Sequence, residues 1–282
     1  MPATPPVSDR MKASIRRRVV NLFNDTARGE APVMRSDHAL FAPGSVVWRL
    51  HGDVGSMMVG GVASLLLQML HPAVLAGVWD HSNFRQDMHG RLRRTARFIA
   101  TTTYADAGKA EAAIATVRRV HDRVAGTLPD GTPYSANDPA LLAWVHVTET
   151  SSFLDAWMRY GEPLMPLAEQ DRYFADMARV GAALGADPVP RSRREARELL
   201  ARMRPQLKVD ARTREVAELI LAGRGAPAMG EVPRRLAMLA AIDLLPSWAR
   251  AMHGLRVSAV EKPLVRAGTF GVAQTLRWAF RG

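Results

Sequence analysis

With 282 residues, 48% of them hydrophobic, the chain can bury a sizeable core as one large domain, which excludes intrinsic disorder and collagen-like repeats. The absence of Cys excludes disulfides, iron–sulfur clusters, Cys-rich zinc sites and thiolate nucleophiles, and it fits a reducing cytoplasm. The formal charge of +11 comes from scattered Arg, with only four Lys among 38 basic residues, a skew that a GC-rich genome explains at least as well as a partner does; no nucleic-acid partner is expected, and weak attraction to an anionic membrane surface stays open ahead of it.

Residues 1–20 place prolines ahead of Arg16, Arg17 and Arg18 with no apolar run after them, unlike a secretory signal. A loose tail from Pro2 is expected to lead into a basic helix over 9–27, and residues 44–50 read as a turn into the core. From 54 to 79 there is no Asp, Glu, Lys or Arg. That stretch is long enough to span a bilayer, yet its Gly60, Gly61, Ser64, Gln68 and His71-Pro72 favour the buried central helix of a soluble domain. The helix is expected over 54–70, with Pro72 interrupting or restarting it. Residues 81–90 are polar and end in Gly, so they read as a loop.

A helix over 91–102 follows, and Asp106 is placed to cap the next one. Over 109–124, Ala110, Ala113, Ile114, Val117, Val120 and Val124 form a stripe of period 3.6, and His121 sits on it. Asp130-Gly131 marks a turn. Asp138-Pro139 opens a helix that stops at Gly161, and 166–184 forms another that stops at Gly185. Ser192 and Glu195 read as a capping box opening 195–203. Segments 213–221, 233–244 and 246–280 read as further helix broken by Gly and Pro. No internal repeat is visible, and no run alternates with period two for long enough to build a sheet. The expected class is all-α: a core over about 44–190 with a C-terminal helical layer over about 191–282.

Arg91, Arg94, Thr95 and Phe98 are spaced i, i+3, i+4 and i+7, hence on one helix face. Two guanidiniums turned to an apolar interior need acidic partners or a bound anion; otherwise they are a solvated face that shares a period. His121, in turn, is either a core residue hydrogen-bonded to a neighbour or a ligand. One buried His facing cations and a hydroxyl is how a protein holds a haem, with one axial nitrogen supplied and the opposite face of the iron open. Non-haem metal sites have less support. His71, His81 and His89 match no zinc template. His146 and Glu149 reverse the order of a di-iron motif and lack a second copy, so a surface ion pair or supporting hydrogen bonds are expected there. No Gly-rich phosphate loop follows a strand and no G-x-S-x-G occurs, leaving NAD, ATP and serine-hydrolase readings without a foothold.

Several short motifs recur in a fixed order: Gln68-Met-Leu-His71-Pro72, His81-Ser-Asn-Phe84, Gly90-Arg91-Leu-Arg-Arg94-Thr95, Val117-Arg-Arg-Val-His121, Tyr134-Ser-Ala-Asn-Asp138-Pro139, Leu141-Leu-Ala-Trp144-Val-His146 and Tyr160-Gly161. Over about 44–190 the chain resembles the MpaB-type oxygenase family, related to the latex-clearing rubber oxygenases. The resemblance implies a globin-like helical core holding haem b, with His121 at the proximal ligand position. Arg91, Arg94 and Thr95 fill the distal Arg-x-x-Lys-Thr run, with Arg94 in place of the Lys; a guanidinium keeps its proton and ligates iron poorly. No acidic residue matches the glutamate those enzymes use. The expected function is a haem b oxygenase acting with dioxygen on an unsaturated lipophilic small molecule, by C=C cleavage as in the family. His121 and Arg91 hold the cofactor, with the iron on His121, while Arg94 and Thr95 act in catalysis. A non-catalytic haem protein, and a cofactor-free helical protein at a membrane surface, stay open beside it.

Overall fold

Thirteen α-helices and one short hairpin make up the described residues, 6–223 and 230–281 of a computed structural model. The class is all-α. The expected tail from Pro2 lies partly outside the described residues. Helix α1 (Val7–Phe23) is the basic N-terminal helix, tied to the body where Arg93 donates to the carbonyl oxygens of Asn21 and Leu22 at 2.6 and 3.1 Å. The stretch expected as a turn is instead a helix, α2 (Val46–His51), with Ser45 as its cap. It has six residues, too few for its periodicity to stand out.

Helices α3 (Val54–Gln68) and α4 (Pro72–His81) come from the uncharged stretch, and the chain bends by 103° between them at the proline restart. Among the described residues no single helix is long and apolar enough to cross a membrane, though this bent pair passes by length and composition. Helix α7 (Pro139–Tyr160), opened by Asp138 and Pro139 as expected, packs along α3 and forms the centre of the fold. Small residues permit the close approach. A Cβ on Gly60 would stand 2.9 Å from both the Phe153 ring and the Ser152 carbonyl oxygen. Gly60→Ala therefore forces α3 and α7 apart and should cost about 2 kcal/mol; urea unfolding measures it, and an unchanged midpoint would mean the two helices do not meet at Gly60.

Around this pair lie α5 (Met88–Tyr104), α6 (Ala107–His121), α8 (Leu167–Leu184), α9 (Arg193–Met203) and α10 (Ala211–Ala222). Their caps follow the local sequence: Asp106 accepts from Gly108, Ser192 from Glu195, and Asp210 forms a capping box with Thr213. Gly185 ends α8 with φ +100°, a conformation that only glycine adopts cheaply. The C-terminal layer is α11 (Glu231–Leu244), α12 (Ser247–His253) and α13 (Glu261–Phe280). One hydrophobic cluster runs from Phe41 through Trp144 and Tyr173 to Val265, so this layer shares the core.

Buried acids fasten that layer. Asp53, the α3 cap, accepts from Arg277 of α13 at 2.6 Å, and Arg277 also donates to the Tyr160 carbonyl oxygen at 2.7 Å. Asp243 binds Arg159 and Arg266 at 2.8 and 2.7 Å. Two expectations are corrected. The helix expected to reach Val124 stops at His121, and strands β1 (Ala125–Thr127) and β2 (Pro133–Ser135) form an antiparallel hairpin on either side of the Asp130-Gly131 turn. Val120 is 57% exposed; the inward line of α6 is Ala110, Ile114, Val117 and His121.

Candidate functional site

The two-residue link at Ala105 and Asp106 folds α6 back along α5. Short connections produce antiparallel neighbours, and Arg91 and His121 lie at nearly equal distances either side of this link. The fold thus brings them together although thirty positions separate them. Burial holds the His121 imidazole below the ordinary histidine value; Asp122 pulls the other way, and the Arg91 guanidinium adds a smaller push in the direction of burial. His121 is half-buried at the last position of α6, and its buried Nδ1 has no hydrogen-bond partner. A neutral imidazole with a free nitrogen is the form that ligates a metal.

Arg91 is half-buried too, and its Nη1 donates to Ser82 Oγ at 3.0 Å. Burial and the neighbouring Arg94 lower its affinity for its proton. Among the described residues no carboxylate pairs with it. It is the charged side chain on the wall of an otherwise apolar cleft whose lining includes Leu65, Val78, Phe84, Leu92, Val216 and Ile220. The cleft is small: its volume of about 10 Å³ holds roughly one water.

The α5 face expected to point inward is split, a correction to the sequence reading. Arg91 faces the cleft and Phe98 packs on the core, whereas Arg94 and Thr95 are exposed. Helix α5 begins three residues earlier than expected because Asp87 caps it, accepting from the Gly90 amide at 2.8 Å. The other Asp87 oxygen lies 3.5 Å from Arg94, which is 62% exposed, and Thr95 Oγ1 donates to the Arg91 carbonyl oxygen at 3.2 Å. Asp87 thus occupies the Gly90 amide of the first turn, which leaves that amide no bond for an anion beside Arg91.

Polar contacts brace the segment after His121. His81 Nε2 contacts the Ala125 carbonyl oxygen at 3.1 Å, and Tyr134 donates to Asp80 at 2.7 Å. Among the other histidines, His71 Nε2 lies 3.3 Å from Gln206 and its Nδ1 is unpartnered. His146 Nε2 is unpartnered as well, but a Cβ on Gly181 would stand 2.9 Å from it, so α8 closes over that nitrogen. The expected surface pair of His146 and Glu149 is corrected: His146 is buried, and Glu149 has no ion pair or hydrogen bond among the described residues. Burial drives the His146 pKa down to about 4 and that of Glu149 up to about 7.

One polar group escaped the sequence reading. Buried His51 places Nδ1 2.7 Å from Thr103 Oγ1 and Nε2 3.0 Å from the Tyr173 hydroxyl. The three residues come from α2, α5 and α8, and no spacing within one segment could have joined them. Among the described residues no cluster of three or more His, Asp or Glu is arranged to hold a bare metal ion.

Residues 48–278 match the family described as ER-bound oxygenase mpaB/B'/Rubber oxygenase, catalytic domain. No curated protein and no solved structure matches the chain.

Proposed function

The chain belongs to this oxygenase family, and from that premise we propose that it is a haem b-dependent oxygenase acting on an unsaturated lipophilic small molecule, with oxidative cleavage of a C=C bond. The observation that carries the cofactor reading is the juxtaposition of an unpartnered, neutral His121 nitrogen with an Arg91 that pairs with no acid among the described residues. The donor chemistry suits the group: the His121 imidazole would ligate the iron, the Arg91 cation would hold a propionate, and the cleft offers an apolar wall. When bound, haem b would supply the activation of dioxygen.

The chain's own residues would do the rest. His121 stays neutral chiefly because burial disfavours its proton, which leaves a lone pair to offer. Arg91 would hold the anionic edge of the cofactor by a charge-assisted bond. The wall of Leu65, Phe84 and Ile220 would exclude water and take the apolar substrate. Because the cleft admits about one water, loading requires α5 to part from α3 and α10. The steering of dioxygen would fall to Arg94 and Thr95 only after that movement, since both are exposed and neither lines the cleft.

The test is the absorbance spectrum of the purified protein after haem addition, followed by oxygen uptake with candidate alkenes. A Soret band with substrate-dependent uptake supports the reading. A band without uptake points to a carrier or sensor, and no band to a cofactor-free protein. Within it, Arg91→Ala should lower the haem-to-protein ratio several-fold after challenge with apomyoglobin, without moving the Soret maximum, and Arg91→Lys should recover part of the loss. Thr95→Ala should keep the ratio and lower turnover by about tenfold, the low end for one lost donor, because its hydroxyl is exposed. Wild-type turnover in that variant would remove Thr95 from the site.

A further inference from the structure

Helix α13 buries Val265, Thr269, Ala273 and Ala279 against its neighbours, yet its outer side is not polar. Leu264, Phe270 and Trp278 are 69, 43 and 36% exposed, and Ala267 and Gly271 between them are exposed as well. At 100° per residue, Leu264, Ala267, Gly271, Gln274 and Trp278 fall on one outward arc that carries no charged side chain, and Phe270 lies about 40° beyond its edge, on the side of Arg266 and Arg277. Isolated exposed apolar residues are ordinary, whereas a continuous stripe marks a surface that something covers.

Helix α1 packs against α13 and brings basic residues to the Trp278 end of the stripe. Its Lys12 Nζ lies 5.4 Å from the Trp278 ring centroid and 3.1 Å from the Arg281 carbonyl oxygen that it caps. Met11 beside it is 52% exposed. Arg10, Arg17 and Arg18 are exposed and make no ion pair or hydrogen bond among the described residues. Arg266 and Arg277 differ, being committed to Asp243 and Asp53. Asp9 and Glu261 are the only acids on the two helices.

We infer that the outer face of α13, with the free arginines of α1, docks the domain on an anionic lipid bilayer, with Leu264, Phe270 and Trp278 entering the interface. An apolar stripe with cations at one end is complementary to acyl chains lying beneath anionic headgroups. A symmetric contact with a second copy would set the arginines of one α1 against those of the other. The inference stands on this surface alone and does not depend on the oxygenase reading.

The test is sedimentation of the full chain with phosphatidylcholine vesicles made with and without phosphatidylserine. Binding should need the anionic lipid and weaken with salt. Leu264→Glu with Phe270→Glu should lower partitioning by more than about tenfold, and Arg17→Ala or Arg18→Ala by about fivefold each. Thermal unfolding of these variants should be unchanged, because the residues are exposed. If the paired charges unfold α13, Leu264→Gln with Phe270→Gln takes their place. Equal binding to both vesicle types, or wild-type binding by the stripe variant, would overturn the inference. A dimer that dissociates with the stripe substitutions, in a protein that binds no vesicles, would overturn it too and give the face to a second copy.

Discussion

His121→Ala should purify as a folded helical protein that retains less than about a tenth of the wild-type haem, a loss at least as large as that from removing a supporting shell around a ligand. Folding should survive because the imidazole makes no hydrogen bond and ends α6 half-exposed; Ala is also the better helix former, so the stability change should stay within about 1 kcal/mol. Free imidazole should restore part of the Soret band, a rescue that a purely structural role for His121 would not give. The pH dependence has a definite sign. The His121 pKa is held below its ordinary 6.5, so its nitrogen stays available through neutral pH and is lost only on stronger acidification. Full haem retention in the variant would move the ligand elsewhere. His71, with an unpartnered Nδ1, would be the next candidate, ahead of His146, whose free nitrogen lies under Gly181.

The sequence exposes those features whose physics is local. Asp106, Asp138 and Ser192 cap helices where expected because a side-chain oxygen satisfies amides only two or three positions away. Pro72 restarts a helix because its ring occupies a first turn without needing an amide. What the sequence hides is which half of a helix face meets the core. Arg91, Arg94 and Thr95 share a period, yet Asp87 draws Arg94 outward while Arg91 turns to Ser82 and the cleft. Alternation cannot reveal strands of three residues, such as β1 and β2. The nearness of Arg91 to His121 is an intermediate case, since a short link between two helices implies it but does not fix the register.

Glu149→Gln should stabilise the protein above neutral pH and leave it nearly unchanged in acid. Glu149 lies on α7 with no ion pair or hydrogen bond among the described residues, and its charge adds to burial in raising the Tyr173 pKa. Burial lifts the Glu149 pKa from 4.5 to about 7. Below pH 4.5 both folded and unfolded chains carry the proton, so the group contributes nothing. Between 4.5 and 7 the unfolded chain ionises first, and folding loses stability as pH rises. Above 7 the loss is complete, about 3 kcal/mol for a shift of this size. An amide resembles the protonated acid in shape and cannot ionise, so the variant avoids that loss. The buried histidines act in the opposite sense: pKa values near 3 for His51 and 4 for His146 mean that folding loses stability as pH falls below 6.5. That loss is common to both proteins and cancels in their difference. Urea unfolding of wild type and variant at pH 4.5 and pH 8 isolates the carboxyl, and the gap between them should open toward pH 8 by about 3 kcal/mol. A gap that does not change with pH would mean that the Glu149 carboxylate finds water or a cation in the folded protein.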